Sequence, residues 1–113
     1  MEILLFLFVC SGLLLAALSI PLMMGKIGPN PWYGFRVKRT LSDPVVWYAV
    51  NAYSAKRLLA VGIINVVSAV VLYFVPEIDV AVYASSCGAI AVAGLVVGLI
   101  QGFRFLRSIG RQD

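Results

Sequence analysis

Long apolar runs alternate with short polar stretches along this chain. Residues 3–24 carry no charge over 22 positions. As a helix rising 1.5 Å per residue they reach about 33 Å, slightly more than the hydrocarbon core of a bilayer. Residues 58–75 are a second uncharged run, 18 positions long, which is just enough to span. Residues 80–103 form a third, broken only by the neutral Gln101. The pattern predicts an all-α membrane protein with three transmembrane helices, at about 3–24, 58–75 and 80–103, in one domain over residues 1–113. Between the second and third runs stands Pro76-Glu77-Ile78-Asp79, a tight polar turn. Those two helices are therefore expected to form an antiparallel hairpin.

The connector, residues 25–57, is expected to contain a helix starting near residue 44. Asp43 is a good N-cap, and Pro44 suits the first helical position. One helix from 44 to 75 would be about 48 Å long, well beyond what a bilayer needs. Residues 44–57 thus either continue helix 2 into water or lie along the interface behind a kink. Trp47, Tyr48 and Tyr53, next to Lys56 and Arg57, read as interfacial anchors.

Composition agrees with the pattern: hydrophobic residues make up 62%, charged residues 12%, and mean hydropathy is +1.00. The formal net charge of +4 would suggest nucleic acid in a soluble chain. Here the basic residues flank apolar spans, so topology accounts for them and no nucleic-acid partner is expected. Lys26, Arg36, Lys38, Arg39, Lys56 and Arg57 lie between helices 1 and 2, and Arg104, Arg107 and Arg111 follow helix 3. The N-terminus and the 76–79 turn have no Lys or Arg. Positive-inside reasoning then places the N-terminus out, the C-terminus in and the connector in the cytosol. Run 1 is expected to stay as a span: it has no basic n-region and is long for a cleaved signal peptide. Cys10, preceded by the bulky Val9, does not make a convincing lipoprotein site.

Gly94, Gly98 and Gly102 form a tandem G-x-x-x-G, with Gly88 further back on helix 3 in a slightly rotated register. Small residues four apart let another backbone approach closely. The face serves either packing within the protomer or a homodimer seam. Gly12 and Ala16 on helix 1 make a weaker small-residue face. Asn65 is expected to tie helix 2 to a neighbour by hydrogen bonding. Within the three spans there is no carboxylate, Lys or Arg, the group on which proton-coupled transport relies. No catalytic residues are expected, since no nucleophile–base pair stands out. With no His and with both cysteines, Cys10 and Cys87, in apolar runs, neither a metal site, a cofactor nor a disulfide framework is expected.

The connector is no low-complexity linker. Pro29, Asn30, Pro31 and Gly34 alternate with Trp32, Tyr33 and Phe35, followed by Arg36, Thr40, Ser42-Asp43-Pro44, Trp47 and Asn51. Pro and Gly fix tight turns. The aromatic side chains suit headgroup depth or the covering of helix ends. Arg36 either donates to the loop's own carbonyls, or pairs with Asp43, a lipid phosphate or the carboxyl end of a peptide. Trp47 and Asn51, one turn apart, share a face.

The order N-x-x-x-G-x-R, T-L-S-D, W-x-x-x-N resembles the signature of the SdpI family of bacterial membrane proteins. It is carried here by Asn30, Gly34, Arg36, Thr40, Leu41, Ser42, Asp43, Trp47 and Asn51. Gly62 and Ile20-Pro21 are also compatible with the family's pattern. Lys38-Arg39 and Ser54-Ala55 depart from it. The resemblance implies a multi-pass protein of the bacterial plasma (inner) membrane. It also implies immunity to a secreted peptide toxin, or transduction of the toxin's signal through a cytosolic regulator. The alternative is a small structural or regulatory subunit that assembles with another membrane protein through helix 3.

Overall fold

A computed structural model describes residues 1–110. Arg111, read above as a topology residue, lies outside the described residues. Four helices are present among the described residues: α1 (Glu2–Met23), α2 (Lys38–Ser42), α3 (Pro44–Tyr73) and α4 (Val80–Gly110). Helices α1, α3 and α4 are each long and apolar enough to cross a membrane.

Helix α1 stops where glycine permits a left-handed turn. Gly25 has φ +72°. Its N–H donates to Leu22 O at 3.3 Å, and Lys26 N–H donates to Pro21 O at 2.9 Å. This pair is the Schellman arrangement, which satisfies the last free carbonyls. Helix α3 begins as its cap residues dictate. Asp43 Oδ1 accepts from Val45 N–H at 3.0 Å, with Pro44 in the first turn.

Helix α3 then runs unbroken for 30 residues, about 45 Å. Residues 44–57 therefore continue helix 2 as its extension and are not a separate interfacial helix. The extension is stable because it is covered: Trp47, Val50, Asn51 and Ala55 are buried. Helix α4 also outruns its apolar stretch, continuing past 103 to Gly110. Phe105 stacks on Tyr53 at 4.3 Å, and Leu106 is buried, so the overhang of α4 packs on the overhang of α3.

Helix α3 is the central element, with α1 and α4 packed on it and α2 lying over its first turns. Both long pairs are antiparallel. Tyr83 Oη donates to Ala69 O at 2.9 Å. Further along, Gly94 faces Val61, Gly98 faces Arg57 and Gly102 faces Ser54. The closest crossing is between Gly12 and Gly62. A Cβ on either would stand 2.6 Å from the other's carbonyl oxygen. The N-terminus thus sits at the same end as the 74–79 turn, and the connector sits at the other end with the C-terminal part of α4. Exposed apolar side chains such as Ile3, Leu14, Ile63, Val71, Val92 and Leu99 cover the outside of the bundle, as lipid contact requires.

The helix 3 glycines divide. A Cβ added at Gly94 would stand 3.1 Å from Val61, and one at Gly102 would stand 2.7 Å from Phe35 and 2.8 Å from Ser54. A Cβ added at Gly98 would make ordinary contact with Arg57 at 3.6 Å, and one at Gly88 would meet no other part of the fold within 4 Å. Packing inside the protomer therefore accounts for Gly94 and Gly102 but not for Gly88. Asn65 is buried beside Gly12, yet its Oδ1 meets no donor. The expected interhelical bond is not formed at that atom. The N–H groups of the neighbouring α1 backbone at Gly12 are already engaged within that helix.

Candidate functional site

The connector folds into a knot on the start of α3, and the polar residues singled out in sequence do much of the tying. Asn30 makes the first turn. Its Oδ1 accepts from the N–H groups of Trp32 and Tyr33, both at 2.8 Å, and its Nδ2 donates to Gly28 O at 2.8 Å. Pro29 and Pro31 flank it, so the turn is stiff before any bond forms.

Asn51 makes the long-range tie. It is 2% exposed. Its Oδ1 accepts from Phe35 N–H at 2.5 Å across sixteen residues, and its Nδ2 donates to Trp47 O at 2.9 Å. Trp47 is fully buried, and its indole N–H donates to Ile27 O at 2.8 Å. A large apolar ring with a satisfied polar edge thus anchors the beginning of the connector. Gly34 passes directly over this pair. Its φ is +118°, and a Cβ there would lie 2.8 Å from Asn51 Oδ1 and 3.0 Å from Trp47 Cη2. Glycine is required on both counts.

Thr40 closes the next turn. It is fully buried. Its Oγ1 accepts from Val37 N–H at 2.9 Å and donates toward Phe35 O at 2.8 Å, with Val37 O at 2.9 Å. Ser42 Oγ donates to Arg39 O at 3.2 Å, a local bond within α2. Asp43 is engaged as the cap of α3.

Arg36 is exposed, and its Nη1 donates to Pro31 O. Of the roles open to it in sequence, bonding the loop's own carbonyl is the one formed. The remaining guanidinium donors make no hydrogen bond among the described residues, and the side chain is exposed. Around Arg36 the knot presents Trp32, 84% exposed, together with exposed Lys38, Leu41 and Val45. This is a mixed aromatic, apolar and cationic surface on a fixed backbone.

Three contributors were not singled out as ties in sequence. Phe35 packs edge-on against Phe103 at 4.9 Å. Arg39, read as a topology charge, donates to Leu106 O at 3.0 Å and fastens the connector to α4. Arg57 sits over the Tyr53 ring at 4.0 Å. The partners of Phe35 and Arg39 are 68 and 67 residues away in the chain, so no local pattern marks them. Gly88, Gly94, Gly98, Gly102 and Asn65 belong to the bundle and not to this knot. Among the described residues no group of His, Cys, Asp and Glu is placed to hold a metal.

A family model described as the SdpI/YfhL protein family matches residues 26–103. That span opens just before the knot and ends within α4, so it takes in both the connector and the α3–α4 hairpin. No curated protein and no solved structure matches the chain.

Proposed function

This chain belongs to the SdpI/YfhL protein family, and on that premise we propose that it is a binding module of the bacterial plasma membrane. It gives immunity to a secreted peptide toxin, or transduces that toxin's signal to a cytosolic regulator. The chain is a multi-pass membrane protein with three apolar helices. In the proposed topology the N-terminus and the 74–79 turn face out, and the connector and the end of α4 face the cytosol, following the Lys and Arg distribution. The module works by recognition and not by catalysis: the connector's one carboxylate, Asp43, is used as a helix cap.

The observation that carries this reading is the ordered platform. Asn30, Thr40, Trp47 and Asn51 spend their polar groups on holding the backbone. Trp32, Arg36 and Lys38 are left displayed. Aromatic and arginine side chains held in place are the usual anchors of recognition surfaces. The assembly reading draws less support, since Gly94 and Gly102 of the helix 3 face are occupied within the protomer.

The test is survival. A sensitive bacterial host expressing the chain is challenged with a secreted membrane-active peptide toxin, beside Arg36→Ala and Trp32→Ala variants of equal membrane abundance. Protection by the wild type that falls in both variants is the expected result. Protection undiminished in both refutes the platform. Absence of protection by the wild type shifts the reading to assembly with another membrane protein.

A further inference from the structure

Helices α1 and α4 both pack on α3, and they meet each other near the turn end, where Phe8 and Tyr83 stand edge to face at 6.1 Å. Toward the connector end a cavity of about 240 Å³ separates them. Leu18 of α1 and Leu95 and Leu99 of α4 form opposite walls. These three side chains are 40%, 42% and 52% exposed, so the walls run out onto the lipid-facing surface and the cavity is open sideways. The end nearest the connector holds the cavity's polar groups, set among apolar ones such as Leu22 and Phe35. Ser54 lines it, with a buried hydroxyl that has no hydrogen-bond partner, and so does Arg57.

We infer that this cavity holds an acyl chain of an anionic phospholipid from the leaflet at the connector end, with the lipid phosphate at Arg57 and Ser54. The polarity of the cavity runs the same way as that of the leaflet. Arg57 marks the start of the apolar part of α3, where headgroups lie, and Val61, Gly94 and Leu95 line the deeper part. The buried Ser54 hydroxyl lacks an acceptor, which a phosphate or ester oxygen supplies.

Charge favours an anion. All nine basic residues of the chain fall in the connector or after the third apolar run, and guanidinium–phosphate pairing is strong and directional. Size favours a chain over a helix. The cavity, about 240 Å³ and walled by single side chains of α1 and α4, has room for a chain, whereas a helix with its side chains is about 10 Å across. An apolar cavity open to hydrocarbon fills with hydrocarbon, because its lining otherwise loses dispersion contacts. This inference stands apart from toxin immunity. The proposed topology enters only in naming the leaflet, which is the anionic cytoplasmic one.

The experiment is native mass spectrometry of the full chain released from micelles containing equimolar phosphatidylglycerol and phosphatidylcholine of the same acyl length. One bound lipid is expected, with phosphatidylglycerol preferred about fivefold, the effect of one basic residue at a membrane surface. Arg57→Gln should remove the preference and Arg57→Lys should retain it. Leu95→Trp and Leu18→Trp, which fill the cavity from opposite walls, should each reduce occupancy by either lipid. Equal binding of the two lipids by the wild type overturns the inference, as does an undiminished preference in Arg57→Gln. Full occupancy in both tryptophan variants, or a lipid-free dimer as the main species, also overturns it.

Discussion

Replacing Asn51 with alanine removes the side chain whose amide oxygen ties the middle of the connector to α3. Two bonds go together: Phe35 N–H to Oδ1 at 2.5 Å and Nδ2 to Trp47 O at 2.9 Å. They differ in consequence. Trp47 O lies within α3 and keeps its backbone partner four residues on. Phe35 N–H has no helix to return to and is held under the Gly34 crossing, so it is left without an acceptor. An unsatisfied buried donor costs about 1–3 kcal/mol, and the lost Nδ2 bond adds about 1 kcal/mol. The connector should therefore lose roughly 2–4 kcal/mol of local stability. The spans should lose little, since they are held by lipid and by the α1–α3 and α3–α4 contacts. Hydrogen exchange of the full chain in lipid nanodiscs reads this directly. At 1.4 kcal/mol per tenfold, a loss of 2 kcal/mol lowers protection at Phe35 roughly 30-fold. Protection across residues 60–70 should stay unchanged. Unaltered exchange at Phe35, or a loss spread evenly into the spans, would refute the assignment of Asn51 as the tie.

Four further outcomes are expected. Gly34→Ala should loosen the same segment by about 1–3 kcal/mol, because the new Cβ meets Asn51 Oδ1 and Trp47 at 2.8–3.0 Å with φ at +118°; faster proteolysis between residues 30 and 37 in membranes is the readout. Gly62→Val should lower the thermal midpoint in detergent by the equivalent of at least about 1–3 kcal/mol, as its Cβ lies 2.6 Å from Gly12 O. Gly88→Val should change that midpoint by the equivalent of less than about 0.5 kcal/mol, because a Cβ there would meet no other part of the fold within 4 Å; equal damage at both would mark Gly88 as a contact with another chain. Tyr83→Phe leaves the ring in place and removes the hydroxyl that donates to Ala69 O, for an expected loss of about 1 kcal/mol in the same assay.

The spans were legible because lipid imposes a crude demand, about 20 apolar residues in a row, and any chain that meets it shows the fact openly. The 76–79 turn was legible for the complementary reason, as a short charged break between two such runs. The continuity of α3 was not. A cap at Asp43 and an apolar run from 58 are compatible with one helix or two. What decides is burial of Trp47, Val50, Asn51 and Ala55 along a single helical face, a spacing that acquires meaning only once the connector lies on it. The overhang of α4 was hidden likewise, because its charges, Arg104 and Arg107, read as a tail while Phe105 and Leu106 between them pack inward. The Gly12–Gly62 crossing joins two residues noted separately. Glycine licenses close approach, but nothing local says to what.

Burial also sorts the connector residues into two kinds, and the sorting bears on how function can be sought. Thr40, Trp47 and Asn51 are enclosed, with their polar atoms engaged by backbone groups of the connector and of α3. Changing any of them disorders the platform, so loss of activity on their replacement carries no information about recognition. Arg36 and Trp32 are exposed and contribute little to the knot: one backbone contact to Pro31 O from Arg36, and from Trp32 only a main-chain N–H that any residue but proline supplies. A requirement for their side chains would have to come from outside the protomer. The distinction follows from where the hydrogen bonds end, and a motif alone does not make it: in the linear sequence Arg36 and Asn51 are both polar residues of one signature, while in the folded chain one holds the surface and the other is the surface.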